Sequence, residues 1–210
     1  CPSPVTTGAL ADGSHSLRVR QVDAAGNAGA IASVGWVIDT VAPSAVPAIT
    51  SGPSGGVNVD TASFAFTGAG AGDTYECRLD GGSWGACTSP DASAGLADGA
   101  HAWQVRLVDA AGNAGPAASR TWAVFTATPP APSGGTVPPS TSNDVSTFTF
   151  TGDTTSTFEC KLDSGAWAPC TSPFTTPSLP DGPHTLEVRQ VDGGGNTSPP
   201  PNLVFNWTID

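Results

Sequence analysis

Methionine is absent from these 210 residues, tyrosine occurs once, and lysine occurs once, as Lys161. Glutamate occurs three times, as Glu76, Glu159 and Glu187. No apolar run approaches the ~20 residues that span a bilayer, so membrane insertion is not expected. The start lacks a basic segment followed by an apolar one, and the chain reads as mature or excised. Seven basic residues against eighteen acidic ones leave a formal charge of −11. Nucleic acid is not an expected partner, because phosphate binding needs a basic face.

Glycine (26) and proline (20) are plentiful, and both interrupt helices. The apolar residues come in short alternating runs, such as SFAF at 63–66 and STFTF at 146–150. Period-two alternation bounded by turn residues reads as strand. An all-β chain is expected.

The chain repeats itself. VDAAGN stands at 22–27 and again at 108–113, and returns as VDGGGN at 191–196. ECRLDGGSWGACTSP (76–90) matches ECKLDSGAWAPCTSP (159–173) at ten of fifteen positions, a shift of 83 residues. LADGSH, LADGAH and LPDGPH begin at Leu10, Leu96 and Leu179, and Trp36, Trp122 and Trp207 mark the last strand of each copy. A period of about 85 residues is the size of one small β-sandwich. Triplication favours architecture over catalysis, since a catalytic constellation is normally built once, from several elements.

The first copy is incomplete: Cys1 aligns with Cys87 and Cys170, the second cysteine of each later pair. The units expected are 1–43, the C-terminal part of an incomplete repeat, and two complete repeats, 44–127 and 128–210. Two accounts of the first unit stay open: a window on a longer tandem array, or a subunit whose open sheet edge takes a strand from another chain. TVAPSAVP (40–47) and TATPPAPSGG (126–135) read as semi-rigid linkers.

One full copy reads as seven strands, near 47–50, 62–67, 74–79, 84–88, 92–96, 100–108 and 118–125. Along the sixth, His101, Trp103, Val105 and Leu107 alternate with polar or small residues, which assigns that face to the core. FECKLDSGAW, DGPHTLEVRQVD, the AGN turn and the VIDTVAP junction together resemble the bacterial immunoglobulin-like repeats of secreted and surface-anchored proteins, related in shape to fibronectin type III domains. The resemblance covers essentially the whole chain. It implies tandem immunoglobulin-like seven-stranded β-sandwiches joined by Pro-containing linkers, serving as stalks, adhesin rods or spacers.

Cys77 with Cys87 and Cys160 with Cys170 each enclose nine residues. A three-residue loop at Gly81–Ser83 or Ser164–Ala166 would set each pair directly opposite, within disulfide reach. Metal binding by these thiols would need two further ligands that nothing supplies. Disulfides imply an oxidising, extracellular or cell-surface location. Cys1 is then unpaired here or paired upstream.

Other candidate chemistry is sparse. His15, His101 and His184 stand one per copy, about a domain apart, and each is expected to fix the start of a strand by a hydrogen bond. Glu76 and Glu159 are equivalent positions in different repeats, so no glutamate pair converges, and neither a GxSxG elbow nor a phosphate-binding loop occurs. No enzyme is expected. VDAAGN has the residue types of a tight turn, and a sharper reading adds calcium at the first junction, held by Asp39, Asp109 and Asn113. The second junction has Phe125 where the first has Asp39. Sequons at Asn196 and Asn206 are possible glycosylation sites.

The function expected is a non-catalytic extracellular structural repeat, the stalk or rod of a large surface adhesin or fibre. Two alternatives are a subunit of a homopolymeric filament completed by neighbouring chains, and a glycan- or protein-binding module using Trp84 and Trp167. The expected partners are neighbouring repeats of the same chain and, for the filament, further copies. No cofactor is required, calcium at the first junction apart.

Overall fold

The computed structural model describes residues 3–135 and 144–210, so Cys1 lies outside the described residues. Strands β1 (Gly13–Val19) and β2 (Ala32–Ile38) pair antiparallel, with His15 opposite Trp36. This hairpin corresponds in register to the last two long strands of each fuller unit, with His15 opposite Trp36 as His101 is opposite Trp122 and His184 opposite Trp207. Its alternate residues His15, Leu17 and Val19 correspond to core positions of the two fuller units.

The first sandwich is built from β3 (Ala48–Ser51), β4 (Gly55–Val57), β5 (Ala62–Thr67), β6 (Thr74–Leu79), β7 (Gly85–Cys87), β8 (Asp91–Ser93), β9 (Gly99–Val108) and β10 (Ala114–Val124). One sheet has the order β4-β10-β9-β6-β7 and the other β3-β5-β8. Phe64 and Phe66 from the smaller sheet meet Trp103, Val105, Trp122 and Val124 from the larger in one core. The Phe64 and Trp103 rings stack at 4.4 Å. Truncating such a buried aromatic costs about 3 to 5 kcal/mol.

The first strand, expected near 47–50, is β3, which pairs antiparallel with β5; β4, a strand not expected from the sequence, crosses to the other sheet and runs parallel to β10. The switch falls at Gly52, with φ 150°. The Phe64 ring occupies the space a side chain there would need, Cδ1 lying 2.5 Å from the position of a Cβ.

The second sandwich repeats the plan with β11 (Thr147–Phe148), β12 (Thr157–Leu162), β13 (Ala168–Cys170), β14 (Phe174–Thr175), β15 (Gly182–Val191) and β16 (Leu203–Ile209). Its sheets are β13-β12-β15-β16 and β11-β14. Phe148, Phe150, Leu186, Val188, Phe205, Trp207 and Ile209 form its core. The protein is thus all-β, with tandem immunoglobulin-like sandwiches.

Both cysteine pairs are bonded, Cys77 to Cys87 and Cys160 to Cys170, with Cα atoms 5.8 and 5.7 Å apart. They are not directly opposite, as the expected loops required. Cys87 faces Tyr75 and Cys77 faces Gly85, and likewise Cys170 faces Phe158 and Cys160 faces Ala168. The turn forms one residue earlier, at Asp80 and Gly81, with φ of 50° and 70°. Gly82 N–H closes it on Leu79 O at 2.9 Å. An Asp-Gly pair accepts these positive angles readily. In the second hairpin Asp163, with φ of 50°, stands in the place of Asp80, and Gly165 N–H closes on Leu162 O at 2.9 Å. In both hairpins the pairing slides so that the disulfide spans a diagonal.

Candidate functional site

The thrice-written turn is the most organised polar feature outside the cores. Asp109 Oδ1 accepts the N–H groups of Ala111 and Asn113, each at 2.9 Å, and Asp109 Oδ2 accepts Nδ2 of Asn113, also at 2.9 Å. The backbone closes the same loop, Asp109 N–H reaching Asn113 O at 3.1 Å. Asp192 and Asn196 make the corresponding bonds, as do Asp23 and Asn27. The Asn113 amide, first among the causes, holds the Asp109 carboxyl below the ordinary range, assisted by backbone N–H groups and opposed by burial.

The turn also reaches across the linker. Asn113 Nδ2 donates to the backbone carbonyl of Asp39 at 3.0 Å, and Asn196 Nδ2 donates to that of Phe125 at 2.7 Å. Each asparagine therefore uses both amide hydrogens, one to brace its own turn and one to hold the end of the preceding repeat. The accepting strand end is held from its other side. Asp12 accepts Thr40 N–H at 3.2 Å and its hydroxyl at 2.9 Å, while Asp98 accepts Thr126 N–H at 2.8 Å and its hydroxyl at 2.6 Å. The residue before each threonine presents the carbonyl.

The two junctions differ in what surrounds this shared bond. At the first, Gly115 lies against Pro43, whose carbonyl oxygen is 2.5 Å from where a Cβ would stand. At the second, the Phe125 ring fills the space over Gly193 and Gly194: their Cβ positions would fall 2.8 Å from ring atoms and 2.9 Å from Phe125 Cβ, respectively. Gly56 also abuts the Gly193 carbonyl. The hydrogen bond at this junction was not read from the sequence. The signal was visible: the one turn reading GlyGly instead of AlaAla follows the one strand end reading Phe instead of Asp. The clamps by Asp12 and Asp98 were missed too, though the DG motif recurs in every copy.

The residues considered for calcium, Asp39, Asp109 and Asn113, come together through hydrogen bonds of Asn113 Nδ2 to Asp39 O and Asp109 Oδ2. Asp39 Oδ1 accepts Val41 N–H at 3.1 Å, and Asn113 turns its amide nitrogen to Asp39. Among the described residues, no group of three or more His, Cys, Asp or Glu is placed to hold a metal ion. Of the sequon asparagines, Asn196 is committed through Nδ2 to Phe125 and Asp192, whereas Asn206 stands exposed on β16.

The remaining candidates are structural. His101 Nδ1 meets Asp80 Oδ2 at 2.7 Å and its Nε2 meets Ala97 O at 2.8 Å. His184 meets Asp163 and Pro180 in the same way, both at 2.9 Å. A carboxylate and a carbonyl only accept, so both bonds form together when the ring is an imidazolium. The backbone carbonyls of Ala97 and Pro180, and next the carboxylates, raise the two histidines above their ordinary value. The guanidinium groups of Arg78 and Arg106 both lie over the Trp84 ring, 4.4 and 4.2 Å from its centre. Arg106 in turn binds Glu76 at 2.7 Å, and Arg189 binds Glu159 at 2.7 Å, beside Trp167. These glutamates serve ion pairs, and the tryptophans are covered by cations.

No family model matches the chain, and no curated protein matches it. Among solved structures, it is similar to fibronectin(III)-like modules of Clostridium thermocellum CbhA, with 15% identity over 78% of this chain and 94% of that one, at a TM-score of 0.46. The FN1-FN3 domains of chicken CNTN1 match at 12% identity, over 94% of this chain and 75% of that one, at a TM-score of 0.44. A tetra-tandem repeat from the extending region of a large adhesion protein matches at 18% identity, over 96% of this chain and 57% of that one, at a TM-score of 0.37.

Proposed function

We propose that this chain is a non-catalytic spacer, a segment of the stalk or rod of an extracellular surface protein, which holds its neighbours at a set distance and angle. The observation that carries this reading is the bond from one repeat's turn to the preceding strand end, made at both junctions. A free linker leaves orientation to chance. Here the carbonyl is clamped by its own repeat and captured by the next, so each domain constrains the following one. One such bond contributes about 0.5 to 1.5 kcal/mol, which biases the angle without locking it. The two disulfides support an oxidising location.

Small-angle scattering on the chain and on the Asn113→Ala/Asn196→Ala variant tests the spacer reading. The parent is expected to give a narrow distribution of long distances, and the variant a broader one with unchanged β-sheet circular dichroism. Indistinguishable distributions would leave the turns without an orienting role and sink the proposal.

A further inference from the structure

The two sandwiches place a tryptophan and two cations at the same spot on the outer face of the larger sheet, and differ in how the charge there is balanced. In the second, Lys161 pairs with Glu187 and Arg189 with Glu159, both beside Trp167. In the first, Arg106 pairs with Glu76, but Gln104 stands in the place of Glu187. Arg78 therefore gives its Nε to Gln104 Oε1 at 2.7 Å and, among the described residues, has no carboxylate partner. One positive charge is left over on this face, in a chain whose formal charge is −11.

The Arg78 guanidinium is also held in place. It lies 4.4 Å from the centre of the Trp84 ring, and the bond from Nε fixes the fork, so Nη1 and Nη2 are presented without further ordering. A planar fork with two parallel N–H groups matches a carboxylate.

A second difference lies one row further along the same strands. Ala100, Ala102, Thr121 and Ala123, together with Asp80, line a shallow depression of about 540 Å³. Ala102 is opposite Thr121, and the neighbouring row sets Arg78 opposite Gln104 and Gln104 opposite Ser119. Two residues along a strand are about 7 Å, comparable with the span of one sugar unit from its carboxylate to its far hydroxyl. In the second sandwich the corresponding four positions carry Pro183, Thr185, Asn206 and Thr208, and the Thr185 hydroxyl is bonded to Asn206 Oδ1 at 3.0 Å. The unbalanced fork and the small-residue depression thus belong to the same sandwich.

We propose that this face binds an acidic saccharide with one carboxylate per hydroxylated ring. The carboxylate is taken by Nη1 and Nη2 of Arg78, and the ring lies over Ala102 with its hydroxyls toward Thr121, Ser119 and Asp80. Asp80 accepts Ala102 N–H through Oδ1 and meets His101 through Oδ2, and its exposed carboxylate has lone pairs left for a hydroxyl. Charge and backbone select the class. One unbalanced cation matches one carboxylate, and the net negative charge of the chain disfavours dense polyanions. β9 and β10 lie inside the sheet, with their backbone groups spent on neighbouring strands, so this face offers side chains to a sugar and no ladder to a peptide. The site adds a binding role to the spacer and does not depend on it.

The test titrates the ¹⁵N-labelled full chain with methyl glucuronide and with N-acetylneuraminate, beside methyl glucoside, acetate and a glutamate-rich peptide. The acidic sugars are expected to move Arg78 Nε and the Ala102 and Thr121 amides together and saturably, while Lys161 and Thr185 stay fixed. Gln104→Glu, which hands Arg78 the carboxylate that Lys161 has, should weaken binding about tenfold. Ala102→Thr/Thr121→Asn, which copies the second sandwich, should remove sugar binding and leave the acetate response of Arg78. Absence of saturation with both acidic sugars overturns the proposal, as does equal binding by Gln104→Glu. Acetate, the peptide or the neutral glucoside binding as tightly as the acidic sugars would remove the need for ring and carboxylate together, and overturn it too. Each of these failures leaves the junction bonds at Asn113 and Asn196 as they are, where the scattering test decides separately.

Discussion

The ring of Phe125 occupies the volume that a side chain at Gly193 would need, 2.8 Å from the position of its Cβ. Strand end and turn are fitted to each other. Gly193→Ala is therefore expected to push the ring aside and loosen the second junction, costing about 1 to 3 kcal/mol, as overpacking does. Adding Phe125→Ala should recover most of that loss, because contacting residues do not add independently. Denaturant midpoints of the two single variants and the double variant give the coupling. Simple additivity would show that the fit carries no energy.

The histidine clamps give the chain a preferred pH. Burial opposes ionisation of Asp80 and Asp163, but backbone N–H groups and the histidines outweigh it, and both carboxyls sit below the ordinary 3.8. That stability is present above 3.8 and lost as pH falls through the lowered values. His101 and His184 sit above 6.5. Their contribution is full below 6.5 and lost as pH rises through the raised values. Melting temperature is thus expected to be highest between these limits and to decline on both sides. His101→Gln/His184→Gln should flatten the alkaline decline; an unchanged slope would show the ring protons have no share in it.

Replacing Cys77 and Cys87 together by serine is expected to destabilise the first sandwich by about 2 to 3 kcal/mol, the chain-entropy value for so short a loop. The core of aromatics and valines spans both sheets without the bridge, so the fold should survive. Chemical denaturation with and without reductant measures this. Unfolding of the variant in buffer would give the disulfide a larger share.

Calcium is not expected to alter the first junction, because the bond from Asn113 to Asp39 links two groups that need no cation between them. Scattering profiles and melting temperature should agree in EDTA and in added calcium. A melting temperature that rises with calcium would put a bound ion back at Asp39 and Asp109, through mass action on the folded state.

The sequence by itself determined the strands, the core face and the repeat. His101, Trp103, Val105 and Leu107 can line one face only in an extended strand, and periodicity is a property of neighbours along the chain. The pairing of Cys77 with Cys87 was legible for the same reason, since it lies within one hairpin. Its register was not, because the positive φ of Asp80 moved the turn by one residue. The tertiary structure alone decided what the turns do. Asn113 and Asp39 are 74 residues apart, and Asn196 and Phe125 are 71 apart. No local pattern says which carbonyl a distant amide will meet. The crossing from β3 to β4 at Gly52, against the Phe64 ring, was likewise not legible in the sequence. Local backbone preference writes the elements, but contacts between residues far apart in sequence set how one repeat is held against the next.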